Sequence, residues 1–217
     1  MRHQLQQCGA EEIRFEVSFV PLPGISKSLR LGLECVALAL HRQCYQRSPR
    51  ANYGRMVPGY KASSFNTARL VEQGKRFRGG PTTEVNESHL PGFSPVGPLL
   101  GNPQALDWCG HRWSSWLRVS DGVPVKQAKG FYRLRMRGNP FLLYLGHGKI
   151  QDRIKPYERM NQVEYSWTPG TWLDHQYLEL TDDLIAGHVV ATSMAPLWQF
   201  EQPPLNDSTD EAIRKVS

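Results

Sequence analysis

Apolar and polar side chains alternate from Glu12 to Val20, with Ile13, Phe15, Val17 and Phe19 set against Glu12, Arg14, Glu16 and Ser18. That period of two predicts a β-strand, closed by the turn residues Pro21 to Gly24. Ser26 or Ser28 can then cap a helix that runs to about Tyr45. From Leu29 to Leu40 this helix is apolar around most of its girth, which predicts burial. Pro49 and Gly54 interrupt it. A second set of elements begins at Phe131, where apolar and basic residues roughly alternate to Met136. Gly138, Asn139 and Pro140 form a turn cluster, and Phe141 to Leu145 is a short apolar run. Together they predict a β-hairpin whose second strand ends at Gly146. The basic segment Lys149 to Arg159 reads as a helix, Val163 to Trp167 as a strand. A further helix carries Leu173, Tyr177, Leu180, Leu184 and His188 at helical spacing.

These elements fall into unequal groups. Residues 1–60 hold one strand and one helix, and 61–107 form a linker that is first basic and then rich in Gly and Pro. Residues 108–200 hold a complete unit, and 201–217 a polar tail expected to be loose. The groups look related. Strand, turn and helix at 12–43 resemble those at 163–190, and each helix precedes a break containing proline, Pro49 in the first and Pro196 in the second.

Charge adds a second kind of asymmetry. The chain of 217 residues has a formal net charge of +6. Residues 41–80 hold nine basic side chains against Glu72 alone, so this stretch carries about +8 and the remainder about −2. Tyr45, Tyr53, Tyr60, Phe65 and Phe77 are interleaved, a mixture suited to phosphate contact and base stacking. Arg47, Arg50, Arg55, Lys75, Arg76, Arg78 and, further on, Lys149 are the candidate DNA-binding residues. A solvated basic surface would look the same. The longest apolar run, Cys35 to Leu40, is far too short for a membrane span. With no apolar leader at the start, a cytoplasmic location is expected. Cys8, Cys35, Cys44 and Cys109 show no CxxC or zinc-finger spacing and are expected to be reduced thiols. No GxxxxGK[ST], HExxH, GxSxG or GxGxxG pattern occurs, which excludes several large enzyme classes.

The predicted hairpin carries two triplets, Gly130-Phe131-Tyr132 and Tyr144-Leu145-Gly146, with eleven residues between the tyrosines and Arg153 after them. This pattern resembles the GIY-YIG endonuclease family. The resemblance covers about 110–200 well and 12–60 partially. It implies an α+β fold, a small mixed or antiparallel three-stranded sheet flanked by helices, with an incomplete N-terminal copy of the same unit. It implies metal-assisted hydrolysis of DNA phosphodiesters with one Mg²⁺ or Mn²⁺. Tyr132 would help activate the attacking water, Tyr144 would shape the site, and Arg153 would contact the phosphate.

The family's metal-binding glutamate has no counterpart in the second unit, where Thr181 occupies the ligand position before Asp182, Asp183, Leu184 and Ile185. Glu179 and Asp182 sit roughly 200° and 100° round the helix from it and should point elsewhere. Gln199, three residues after Pro196, replaces an expected asparagine. The first unit departs the other way. Glu34 precedes Cys35 and Val36 as the resemblance requires, and Asn52 lies three residues after Pro49. Glu34 is therefore the candidate metal ligand and a candidate catalytic residue, although the chain starts only 33 residues before it and the opening hairpin is expected to be missing. The expected function is a truncated or weakened endonuclease; the alternative is a catalytically silent DNA-binding module. Plainer roles stand beside these: Tyr132 and Tyr144 as ordinary strand aromatics, Arg153 as a solvated helix residue, Glu34 as a partner of Arg30, His147 as a surface histidine, and His188 as a hydrogen-bonded core residue.

Overall fold

The computed structural model describes residues 16–49, 52–53, 61–63, 82–84, 97–124 and 127–201, with only the strand pairing given at 61–63 and 82–84. Helix α1 (Lys27–Tyr45) begins where Ser26 accepts the Leu29 N–H at 3.1 Å, which satisfies one of the free donors of the first turn. Strands β1 (Lys61–Ser63) and β2 (Thr82–Glu84) form a short antiparallel pair. The main sheet comprises β3 (Leu117–Arg118), β4 (Lys129–Met136), β5 (Leu142–Lys149) and β6 (Val163–Pro169). A short helix α2 (Ile150–Ile154) follows β5, and helix α3 (Asp174–Thr192) follows β6.

The fold is α+β, and the sheet is antiparallel throughout in the order β3-β6-β4-β5, with four strands where three were expected. The additional strand is the two-residue edge β3, too short to show a period in the sequence. The predicted hairpin forms between β4 and β5, but β5 runs past Gly146 to Lys149. The basic helix is shorter than expected, one turn and a half that tightens into a 3-10 turn at Lys155–Tyr157, where Pro156 cannot continue the helical donors. Part of the expected strand at 12–20 is described, Glu16 to Val20, and it joins no sheet; Val17 and Phe19 are exposed. Its alternation finds no partner strand among the described residues.

Two apolar layers cover the main sheet. Tyr132, Leu134, Leu143, Ile150, Ile154, Tyr165 and Trp198 pack on the face under α2. Phe131, Leu142, Leu145 and Trp113 pack on the opposite face with Leu180, Leu184 and Ile185 of α3 and Cys35 and Ala39 of α1. Residues 97–107, read from composition as linker, contribute here as well: Leu99 joins this second layer, and the Pro103 carbonyl accepts a hydrogen bond from the buried Arg133 guanidinium. The same guanidinium lies 4.3 Å from the Trp113 ring and 4.7 Å from the Trp116 ring, cation–π contacts that offset its desolvation. Helix α1 is less buried than its composition predicted. Gly32, Cys35, Ala39 and Arg42 form its buried stripe, whereas Leu40 is 49% exposed.

Helices α1 and α3 are the same length and correspond at a constant offset of 147 positions. Each ends on a left-handed residue, Gln46 (φ 55°) and Ser193 (φ 58°), and each is followed three residues later by proline. The turns match in detail. The Pro49 carbonyl accepts from the Asn52 N–H at 3.3 Å, and the Pro196 carbonyl from the Gln199 N–H at 3.0 Å. His41 bonds the Arg47 carbonyl through Nδ1 at 3.1 Å, and His188 bonds the Met194 carbonyl through Nδ1 at 2.8 Å.

The two helices pack antiparallel around an approximate twofold axis. Cys35 and Asp182 hold corresponding positions and touch each other, the thiol donating to the carboxylate at 3.6 Å. Gly32 lies against Val189 and Ala195; in the mirrored contact, Ser48 donates to Glu179. Arg42 meets Asp183 at 2.9 Å, where the mirrored positions are the apolar pair Val189 and Val36. The internal repeat therefore appears as a helix pair with apolar contacts on one side of the axis and polar ones on the other.

Candidate functional site

Strand pairing and side-chain size dictate the geometry at the far end of the hairpin. Tyr132 lies opposite Gly146 and Leu134 opposite Tyr144, so both tyrosines share one face. Gly146 makes room for them: a Cβ there would fall 2.7 Å from the Tyr132 phenol oxygen and 2.7 Å from the Tyr144 ring. The rings are 5.9 Å apart, and a phenol–phenol hydrogen bond links them. Gly130 answers a different need, since any Cβ would collide with the Thr168 carbonyl of the neighbouring strand β6. Both glycines of the two triplets are thus explained by close approach.

Arg153 reaches back from α2 over Gly148, where a Cβ would lie 2.8 Å from its Nε. Its charge acts on Tyr132 on one side and on His147 on the other. The structure therefore brings Tyr132, Tyr144 and Arg153 to one end of the sheet. Tyr132 is buried, which pushes its phenol well above the ordinary tyrosine range, and the nearby Arg153 opposes this only in part. A phenol held protonated in this way donates hydrogen bonds and does not abstract protons at neutral pH.

Thr181 and His147 meet beside this group. The Thr181 hydroxyl donates to the Tyr177 carbonyl at 2.7 Å, and His147 Nδ1 lies 2.8 Å from the same oxygen. The hydroxyl has one hydrogen, already committed to Tyr177, so the imidazole donates to Thr181. His147 also stacks on the Tyr177 ring at 5.0 Å. Burial and the Arg153 charge push its pKa below the ordinary imidazole value, with Asp174 acting the other way.

The remaining carboxylates of α3 face away from this group. Glu179 is fully buried and accepts from Ser48; Asp182 accepts from Tyr53 at 2.9 Å and from Cys35. Glu34 is exposed on α1, near Asp182 and Cys35 in charge terms. No contact among the described residues links Glu34 to Tyr132, Tyr144 or Arg153. Gln199 does reach the hairpin, its side-chain oxygen accepting the Leu145 N–H at 2.9 Å. His188 is a fully buried structural residue: Nε2 accepts the Leu142 N–H at 3.1 Å and Nδ1 donates to Met194.

Of the candidate DNA-binding residues, Arg47 is exposed and Lys149 lies 3.7 Å from Asp152. Arg50, Arg55, Lys75, Arg76 and Arg78 lie outside the described residues. No helix among the described residues is long and apolar enough to cross a membrane. Among the same residues no group of three or more His, Cys, Asp or Glu side chains is arranged to hold a metal ion. With Thr181 in the ligand position and Glu179 and Asp182 bonded elsewhere, the residues around Tyr132 do not fit a hard divalent cation. His147 is the residue that sequence patterning ranked too low. Its signal was its place directly after the second glycine triplet, where a strand end meets α3. No family model, no curated protein and no solved structure matches this chain.

Proposed function

We propose that this chain is a GIY-YIG-type endonuclease that hydrolyses DNA phosphodiesters. The observation that carries the reading is the gathering of Tyr132, Tyr144 and Arg153 at one end of the β4–β5 hairpin, with glycines where side chains would block it. Arg153 is exposed and can pair with a backbone phosphate through its planar fork, stabilising the negative charge that grows on the phosphoryl oxygens. Tyr144, half-buried, presents a phenol to the same space, held in place by Tyr132. The basic stretch from Arg42 to Arg78 supplies long-range attraction for the polyanion.

A second reading is favoured by one observation. Thr181 stands where the resemblance puts a metal-binding glutamate, and a chain that keeps its scaffold without that carboxylate suits a silent DNA-binding module. Plasmid cleavage separates the two. Slow nicking by the parent chain, lost in Arg153→Ala, supports the nuclease. Thr181→Glu is expected to add a component of cleavage dependent on Mg²⁺ or Mn²⁺. Salt-sensitive binding with no cleavage by either protein under any condition selects the silent module. Salt-insensitive or absent binding removes both readings.

A further inference from the structure

We infer that His147, through Nε2, is the general base of this site, held in the required tautomer by Thr181. The inference rests on the nuclease reading and deepens it by supplying the group that the site otherwise lacks. A hydrolytic site needs a proton acceptor for the attacking water. Tyr132 is a poor one, because its buried phenol stays protonated. The carboxylates Glu179 and Asp182 are turned toward α1 and bonded there. A metal-bound hydroxide would need ligands that these residues do not provide.

His147 meets the requirement through its geometry. The single hydrogen of Thr181 goes to the Tyr177 carbonyl, so Thr181 can only accept from the imidazole. The imidazole proton therefore resides on Nδ1, and the Nε2 lone pair is left unprotonated. Stacking on Tyr177 and edge contact with Phe131 fix the ring plane. The charged groups that face the ring are Arg153 from α2 and Asp174 from α3, and Arg153 together with burial keeps the imidazole neutral near pH 7.

The step then balances without a cation. His147 Nε2 takes a proton from water as the water oxygen bonds to phosphorus. The phosphorus–oxygen bond to the leaving sugar breaks, and the leaving oxygen takes a proton from solvent water. The imidazolium returns its proton to solvent, while Arg153 stabilises the phosphoryl charge throughout. On this view Thr181 is a positioning residue rather than a vestige.

The test measures plasmid nicking in excess EDTA between pH 5 and pH 8, alongside DNA affinity. The parent chain should nick without added metal, with a rate that rises with pH and levels off, its midpoint below the ordinary imidazole value. His147→Gln should lose about 100-fold or more in rate at unchanged affinity. His147→Ala should be partly rescued by free imidazole, which a merely structural role would not allow. Thr181→Val should lower the rate by about tenfold or more by releasing the tautomer. Equal nicking by His147→Gln and the parent overturns the inference and leaves the nuclease standing. So does parent cleavage that appears only with Mg²⁺ or Mn²⁺. DNA binding without cleavage in any condition overturns the inference and the nuclease reading together.

Discussion

Helices α1 and α3 share length, exit turn and proline spacing, yet they present their equivalent faces to different surroundings. On α3, Tyr177, Thr181 and His188 meet the β4–β5 hairpin through Phe131, His147 and Leu142. The corresponding residues of α1 are Arg30, Glu34 and His41; Arg30 and Glu34 are exposed and His41 is half-buried. The half with a hairpin has Thr181 in the family's carboxylate position, and the half with that carboxylate has no hairpin among the described residues. A duplicated element thus keeps its packing function after its chemical function has moved, because packing is set by a few buried contacts on the opposite face.

The sharpest way to break this comparison is across the axis. Arg42→Val leaves the buried Asp183 carboxylate without its ion pair and should cost about 3–5 kcal/mol in chemical denaturation. The double variant Arg42→Val, Asp183→Val copies the apolar pair Val36 and Val189 from the mirrored contact, and should recover most of the loss. A double variant no more stable than the single one would show that the two sides of the axis are not interchangeable.

Acid should have the next largest effect. Burial pushes His188 and His111 down to about 4, so the folded state holds them neutral while the unfolded chain takes up protons at the ordinary imidazole value. Their contribution is complete above the unfolded value and is lost as pH falls from about 6.5 toward 4, on the order of 3 kcal/mol for each group. Thermal melts across that interval should show falling stability, with a shallower slope in His188→Gln. An unchanged slope would rule out His188 as a contributor.

Smaller effects distinguish the helices themselves. Gly32→Ala places a Cβ 2.8 Å from the Val189 side chain and should cost about 1–3 kcal/mol by overpacking the crossing. The same change at the exposed Gly24, where nothing lies near, carries only backbone strain from its φ of 73° and serves as the control. Ser26→Ala removes the hydroxyl cap of α1 and should cost about 1 kcal/mol by urea titration. Helix α3 has Leu173 at the matching position with no capping oxygen; Gln176 instead accepts the Leu173 N–H at 3.0 Å. Leu173→Ser should therefore stabilise the chain by a few tenths of a kcal/mol up to about 1 kcal/mol.

Much of this was legible in the chain itself. Ser26, the apolar period of α3 and the turn cluster at Gly138 to Pro140 each encode local structure, and each element formed where local chemistry placed it. Boundaries that depend on distant partners were not legible. The extension of β5 to Lys149 is set by pairing with β4, and β3 exists only because β6 runs beside it. Burial of α1 was overestimated because apolar content was read as contact, whereas a single stripe faces α3. The polar lock was hidden for the same reason: Glu179, Asp182 and Asp183 read as a solvated acidic cluster until Ser48, Tyr53 and Arg42 came to face them. His147 escaped notice because its tautomer depends on a threonine 34 residues away.

The position of Asp182 on the axis carries a consequence for how this chain keeps its own company. Were the last helices of two chains to associate in the manner of α1 with α3, two Asp182 carboxylates would confront one another, and each Asp183 would find Val189 in place of a guanidinium. The acidic half is therefore repelled by its own likeness and satisfied only by its basic sibling, which makes the duplication a safeguard against self-association through this surface.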